Sequence, residues 1–249
     1  DADRLAVAIH NHDETSENRW ICLTGNQTGA LLVDHALRHR QSSLTSEHFV
    51  VKTLVTTELV TRIADYYGVQ TYGQLLVGFK YIARQIDLAG PSLFILGVEE
   101  SLGYLAGTYA RDKDAAIAAL LISELAAELQ STGQSVSKRM DEIYLQHGFF
   151  SEMAASRFCT GPQGTLQIQA LMAQFRNHPP LVLDTHQFVG VHDYGKNECR
   201  QLPENTFTSP LETPEGDLLF FETGDPNDSS QFRFAVRPSG TEPKIKFYF

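Results

Sequence analysis

The most constraining feature of this chain is its rhythm. Through about residue 150, brief apolar runs alternate with longer stretches in which apolar residues recur at helical spacing. "EHFVVKTLVTT" and "SLFILGVEES" are dense in β-branched and large apolar residues, as fully buried strands are, and "RLAVAIHN" is a shorter strand candidate. "RWICLTGNQTGALLVDHALRHR" reads as a strand, a turn at Thr24 to Gln27, and a helix with Ala30, Leu31, Val33 and Leu37 on one side. "TELVTRIADYYG" is a helix closed by Gly68, and "LVGFKYIARQID" a loop and helix start. "DKDAAIAALLISELAAELQSTG" predicts the longest helix, stopped at Gly133. Strand–helix alternation of this kind predicts a layered α/β domain with a mixed sheet.

After "YLQHGFF" the texture changes. "TLQIQALMAQFRNHPP" gives one helix, halted by Pro179 and Pro180. The strand candidates "LVLDTHQFV", "GDLLFFET", "QFRFAVR" and "KIKFYF" follow among Pro, Gly, Asn and Asp. A smaller α+β domain with a largely antiparallel sheet is expected, with the boundary near Phe150.

Composition narrows the function. Of 249 residues 42% are hydrophobic and 20% charged, so the chain folds rather than staying disordered. A net charge of −10 excludes a broad nucleic-acid surface, which needs a basic face. Cations are left to gather at a few loops, where they suit small anionic substrates. Cys22, Cys159 and Cys199 form no CxxC pair, so neither a cysteine-based zinc site nor a disulfide framework is indicated, and a cytoplasmic, reducing setting is expected. No apolar run has the length of a membrane span, and no membrane partner is expected. The oligomeric state is not fixed by these features.

Four loops carry candidate chemistry, each beside an apolar strand, where ligands of α/β sheets gather. In "DADR", Asp1 and Asp3 alternate across one residue and can turn two carboxylates toward a hard cation such as Mg²⁺, or can be a solvated segment. In "GVEESLGY", Glu99 and Glu100 leave a strand and are followed by Ser101. They can grip the vicinal hydroxyls of a sugar, or begin a helix against its dipole. In "YARDKDAA", Lys113 can bind phosphate or move a proton, or can be surface charge. Lys52, in "FVVKTL", needs a partner if it is buried. In "RPSGTEPK", Arg237, Ser239, Gly240 and Thr241 concentrate donors in a turn, as an anion nest does and as an ordinary Pro/Gly-rich turn also can.

Taken in order, "DADRLAVA", "LTGNQTGALL", "VGFKYI", "GVEESLGY", "RDKDAA" and "RPSGTEPKIKFY" resemble the α-D-phosphohexomutase superfamily of phosphoglucomutases and phosphomannomutases. The resemblance runs from Asp1 to Phe249 and is loosest over residues 151–230. Members of that family have four domains around one deep cleft, the first carrying a phosphorylated serine and the second a metal loop of the form D-x-D-x-D-R. The resemblance therefore implies that residues 1–10 are the end of domain 2, 11–150 domain 3 and 151–249 domain 4, so that the chain is a C-terminal half.

Carried over residue by residue, the resemblance implies that Asp1 and Asp3 ligate Mg²⁺, with Arg4 at the active centre. Glu99 and Ser101 would hold ring hydroxyls, and Lys52 and Lys113 would be cleft lysines, Lys113 acting in proton transfer or charge stabilisation. Arg237, Ser239, Gly240 and Thr241 would grip the phosphate that is not being transferred, while Lys80 lies in a family motif without an assigned contact. The implied activity is intramolecular phosphotransfer between hexose 1-phosphate and hexose 6-phosphate, through a phosphoserine and a bisphosphate intermediate. The expected ligand is a phosphorylated sugar, and this chain alone is expected to be inactive. Phosphopentomutase or hexose-bisphosphate synthase activity on the same scaffold, and a non-catalytic phosphosugar-binding module, stand as alternatives.

Overall fold

The computed structural model describes residues 1–10, 19–161, 163–211, 216–224, 232–240 and 242–249. The chain divides into two compact units, Asp1–Ser151 and Glu152–Phe249.

The first unit opens on a short antiparallel pair, β1 (Ala8–His10) and β2 (Trp20–Cys22). Helix α1 (Gly25–Arg40) follows directly. The predicted turn at Thr24 to Gln27 is instead the start of this helix. The Thr24 hydroxyl accepts from the Gln27 N–H, and the Gln27 side chain accepts in return from the Thr24 N–H, a reciprocal capping box. Next come β3 (Phe49–Thr53), α2 (Leu59–Tyr66), β4 (Gln70–Leu75), α3 (Phe79–Ala89), β5 (Phe94–Glu99) and β6 (Gly103–Ala106). Helices α4 (Ala115–Ser131) and α5 (Val136–His147) close the unit.

The sheet order is β4-β3-β5-β6, with β3 parallel to both β4 and β5 and β6 antiparallel to β5. The sheet is mixed, as the alternation predicts. Side chains on β3 alternate between two cores. Val50 joins the core built on α1, α2, α4 and α5, while Phe49 and Val51 face the core built on α3, with Phe79, Ile82 and Ile86. Both faces are covered, which explains the unbroken apolar texture of β3 and β5. Because β3, β4 and β5 run parallel, their carboxyl ends emerge at one edge of the sheet, and the loops that follow β4 and β5 contribute to the candidate site.

Among the described residues, the second unit is an antiparallel sheet with one helix against it. It contains β7 (Ala154–Phe158), α6 (Gly164–Asn177), β8 (Val182–Leu183), β9 (His186–Asp193) and β10 (Glu198–Gln201). Then follow β11 (Thr206–Pro210), β12 (Leu219–Thr223), β13 (Arg233–Pro238) and β14 (Lys244–Tyr248). The order is β11-β10-β9-β12-β13-β14-β7, with β8 paired to β9, and every pairing is antiparallel. Phe175 of α6 sets its ring edge-on to Phe221 and tilted against Phe234 and Phe247 of the sheet, which fastens helix to strands. This is the expected smaller α+β unit.

No single helix among the described residues is long and apolar enough to cross a membrane.

Candidate functional site

The first unit brings four separate stretches of chain together at the carboxyl edge of β3 and β5. The stretch 2–5 is laid along the β5–β6 hairpin. Arg4 pairs with Gly103 in an isolated bridge, the Leu5 N–H donates to the Leu102 carbonyl (3.1 Å), and the Ala115 N–H donates to the Ala2 carbonyl (3.3 Å). The Arg4 guanidinium donates to the Ser101 carbonyl (3.3 Å). Arg4 and Ser101, far apart in sequence, are thus neighbours. The reading of "GVEESLGY" as a helix start is overturned: Glu99 ends a strand, and residues 100–102 form a tight hairpin turn with Leu102 at φ +68°.

Glu99 is buried at 4% exposure, and its Oε1 accepts from the Gly78 N–H at 2.9 Å. Gly78, at φ +135°, is the residue that turns the chain into α3. Burial chiefly, and the neighbouring Glu100 charge, push the Glu99 carboxyl above its ordinary range, against the pull of Lys113, the Gly78 N–H and Arg4.

Lys113 passes over the backbone of Gly103. A Cβ on residue 103 would stand 2.5 Å from Lys113 Cδ and 3.3 Å from Glu99 Oε2. The Lys113 ammonium lies 2.8 Å from Asp112 Oδ1, 3.5 Å from Asp3 Oδ2, and over the Phe79 ring at 5.5 Å. Burial would lower its pKa, but the hydrogen bond and charge of Asp112, with Glu99 and Asp3, outweigh burial and raise it. At neutral pH Lys113 is a held cation, so it can stabilise negative charge. Arg111 is turned away, bonded to Asp87 at 2.7 Å.

Asp3 is half-buried and Asp1 exposed. Oxygen-only donors suit magnesium, which takes about six of them, several from water or substrate phosphate. Among the described residues these two aspartates belong to no cluster of three ligands, and Asp3 is shared with Lys113. The residues present fit a magnesium site only in part.

Lys52 goes elsewhere. It is 1% exposed, and its ammonium donates to the Thr56 carbonyl (3.1 Å) and to Glu58 Oε1 (2.9 Å). The expected partner for a buried lysine is Glu58, six positions on. Lys80 is exposed, its ammonium 4.9 Å from the ring of Tyr81.

The predicted phosphate loop lies in the second unit, as the hairpin between β13 and β14. Arg237 is half-buried and stands opposite Lys246 in the β13–β14 register. The Ser239 N–H donates to the Lys244 carbonyl and the Lys244 N–H to the Glu242 carbonyl, both at 2.8 Å. Two backbone donors expected to face an anion are therefore spent inside the turn. Gly240 is exposed, with open space where a Cβ would be. Lys244 is ion-paired with Glu242 and lies 5.1 Å from the Phe158 ring centre. Thr241 lies outside the described residues.

Sequence reasoning did not find the Gly78 N–H, Phe79 or Asp112 as parts of the cluster. The first is a backbone group and leaves no side-chain signature; the signal available was the Gly before a helix in "VGFKYI". A cavity of about 460 Å³ in the second unit, lined by Arg176, Gly195, Lys196, Gly216 and Asp217, contains none of the predicted site residues.

A family profile described as phosphoglucomutase/phosphomannomutase, alpha/beta/alpha domain III, matches residues 24–147. Over its whole length the chain is 33% identical to a protein named phosphoglucomutase from Staphylococcus aureus strain MRSA252, and 34% identical to the one from strain RF122 / ET3-1. It spans 43% of the length of each. Solved structures share the fold at low identity. The open form of pp63/parafusin, a phosphoglucomutase from Paramecium, matches with a TM-score of 0.58 at 15% identity, over 93% of this chain and 37% of that one. A phosphoglucomutase/phosphomannomutase family protein from Burkholderia thailandensis matches with a TM-score of 0.53 at 11% identity, over 100% of this chain and 40% of that one.

Proposed function

The chain belongs to the phosphoglucomutase/phosphomannomutase family, and from that premise we propose that it is the sugar- and phosphate-binding part of an enzyme that moves a phosphoryl group between the 1- and 6-hydroxyls of a hexose phosphate. The observation that carries this reading is the convergence of Arg4, Glu99, Ser101 and Lys113 around one hairpin turn. A polyol needs carboxylate acceptors for its hydroxyls, and a transferring phosphoryl group needs fixed positive charge. This cluster has both.

Each residue has a role that follows from its surroundings. Glu99, held by the Gly78 N–H, accepts hydrogen bonds from ring hydroxyls. Lys113 remains cationic because three carboxylates surround it, and it stabilises the hydroxyl oxygen that gains or loses the phosphoryl group. Arg4 braces the Ser101 carbonyl and keeps the turn in register. Arg237, with the Ser239 hydroxyl, binds the idle phosphate by charge-assisted hydrogen bonds. Magnesium, held by Asp1, Asp3 and further oxygen donors, would withdraw charge from the moving phosphoryl group. Phosphoryl donation requires the serine domain implied by the family resemblance, so this chain alone is expected to bind without turning over.

Calorimetric titration of the purified chain with glucose 1-phosphate, mannose 1-phosphate and ribose 1-phosphate tests the reading. Binding of a hexose phosphate that weakens at least about tenfold in both Glu99→Gln and Arg237→Ala supports it, since each loses a charged hydrogen bond of about 1.5–3 kcal/mol. Preference for the ribose ester would shift the substrate class to pentoses. Turnover of glucose 1-phosphate by the isolated chain would overturn the division of labour. Binding unaffected by either substitution would remove the site.

A further inference from the structure

Between α1 and α4, two imidazoles and a carboxylate that carry none of the roles assigned above converge. His35 and His39 are one helical turn apart on α1, with ring centroids 4.5 Å apart, and both face Glu128 of α4. The His39 Nε2 lies 2.9 Å and the His35 Nδ1 3.7 Å from the same Glu128 Oε2, and one ligand atom from each residue falls within a 4.8 Å group. His35 is 4% exposed, and its Nδ1 is buried without a hydrogen-bond partner. An imidazole nitrogen left bare in an interior is costly unless something completes it.

From this geometry we propose that His35, His39 and Glu128 form a binding site for a borderline divalent transition metal of the zinc class. Around zinc, with bonds of about 2.0–2.1 Å, tetrahedral ligand atoms stand roughly 3.3 Å apart, and the observed 2.9 and 3.7 Å separations bracket that value. Two imidazoles favour zinc, cobalt or nickel over magnesium, so this site differs in metal class from one made of aspartates. The outer partners are also present. The other ring nitrogen of His35, Nε2, faces Glu124 Oε2 at 3.8 Å, an ion-pair distance that places a carboxylate behind the ring without a hydrogen bond. Arg38 holds Glu128 in a two-pronged grip, Nη1 to Oε1 at 2.5 Å and Nη2 to Oε2 at 3.0 Å. A cavity of about 330 Å³, lined by all three ligands with Ala36, Leu121 and Glu124, leaves room for a fourth ligand from water. On binding, the metal replaces the proton between His39 Nε2 and Glu128, and that proton leaves to solvent. The site would clamp α1 to α4.

The test is titration of the metal-stripped chain with Co²⁺, followed by displacement with Zn²⁺. A visible ligand-field band saturating near one equivalent is expected, with no displacement by equal Mg²⁺. The His39 side chain is 53% exposed, so His39→Gln keeps the fold, which circular dichroism verifies. This variant should bind Zn²⁺ at least about tenfold more weakly, because loss of a direct ligand costs no less than loss of an outer partner. Glu128→Gln should behave alike. Affinity within about twofold of the parent chain in both variants, no cobalt band up to millimolar metal, or equal competition by Mg²⁺ would each overturn the proposal. Because no sugar phosphate enters the measurement, its result is independent of the assigned function.

Discussion

Gly25 and Glu100 meet backbone to backbone: a Cβ on residue 25 would stand 1.9 Å from the Glu100 carbonyl oxygen. The Tyr104 hydroxyl donates to the Gly25 carbonyl at 3.1 Å and closes the contact from the other side. The first turn of α1 and the 100–102 turn are therefore one packed unit. Neither the helix start nor the turn can move to admit a methyl group without breaking the cap or the hairpin. Gly25→Ala is expected to cost about 3 kcal/mol or more, the upper end for overpacking. Gly103→Ala should differ in kind. Its nearest obstacle is Lys113 Cδ, in a flexible side chain that can swing aside. The loss of stability there should stay under about 1 kcal/mol, while hexose-phosphate affinity falls because Lys113 and Glu99 are displaced. Urea unfolding and calorimetric titration of both variants separate the two behaviours.

Glu99 makes the stability of the first unit depend on pH. Its folded-state pKa is raised above an ordinary 4.5, mainly by burial. A raised acid pKa means that the folded protein holds its proton more tightly than the unfolded chain. The stability linked to that proton is present below pH 4.5 and is lost as pH rises through the folded-state value. Glu99→Gln removes the ionisation, and the amide oxygen can still accept from Gly78. Relative to the parent, the variant should gain stability as pH rises from about 4 to about 8. A parallel pair of curves would show that Glu99 is ordinarily solvated.

Much of this was legible because buried strands and capped helices leave strong local signals. β3 and β5 read clearly because both faces of each are covered and their side chains are all apolar or enclosed. β4, "QTYGQL", escaped because it is an edge strand with half-exposed polar residues, and β6 because it is only four residues long. Helix α5 escaped because "VSKRMDEIYLQH" buries only Met140 and Ile143 fully. β7 and β11 are exposed along their whole length and carry no alternation to detect. At the site, Arg4, Glu99, Ser101 and Lys113 were legible as ordered motifs of a family. Their mutual contacts were not, because they depend on where Gly103 and Gly78 let the chain run. The Lys52 assignment shows the opposite case, since a lysine after a buried strand is equally well explained by an internal pair.

That pair gives a third prediction. Lys52 is fully buried, whereas Glu58 is 29% exposed. Glu58→Gln leaves a buried ammonium with less compensation and should cost about 3 kcal/mol, the lower end for breaking such a pair. Lys52→Met removes the charge that needed compensating and should be close to neutral in stability. Chemical denaturation of the two variants reads this asymmetry. Hexose-phosphate titration of Lys52→Met then decides its role: unchanged affinity marks a structural lysine, and a loss of tenfold or more returns it to the substrate.

The last prediction concerns what fastens α5, the helix least visible in the sequence. Arg139 of α5 donates three hydrogen bonds to Asp34 of α1, at 3.0, 2.7 and 2.8 Å, and a fourth to Glu142 at 3.0 Å. Asp34 is 1% exposed and its oxygens meet the guanidinium as a fork, the geometry in which arginine cannot be replaced by lysine. Arg139→Lys keeps the charge but loses the fork, while Asp34→Asn keeps the shape but loses the charge. Both should destabilise the first unit, Asp34→Asn by about 3 kcal/mol, the lower end for breaking a buried pair, because a largely buried guanidinium is left with Glu142 as its remaining carboxylate partner. Hydrogen exchange locates the damage. If the pair is the fastening, amides of α5 should lose protection first in both variants, while β3 and β5 keep theirs. Equal loss across the sheet would mean that α5 is held by its apolar contacts and the ion pair only accompanies them.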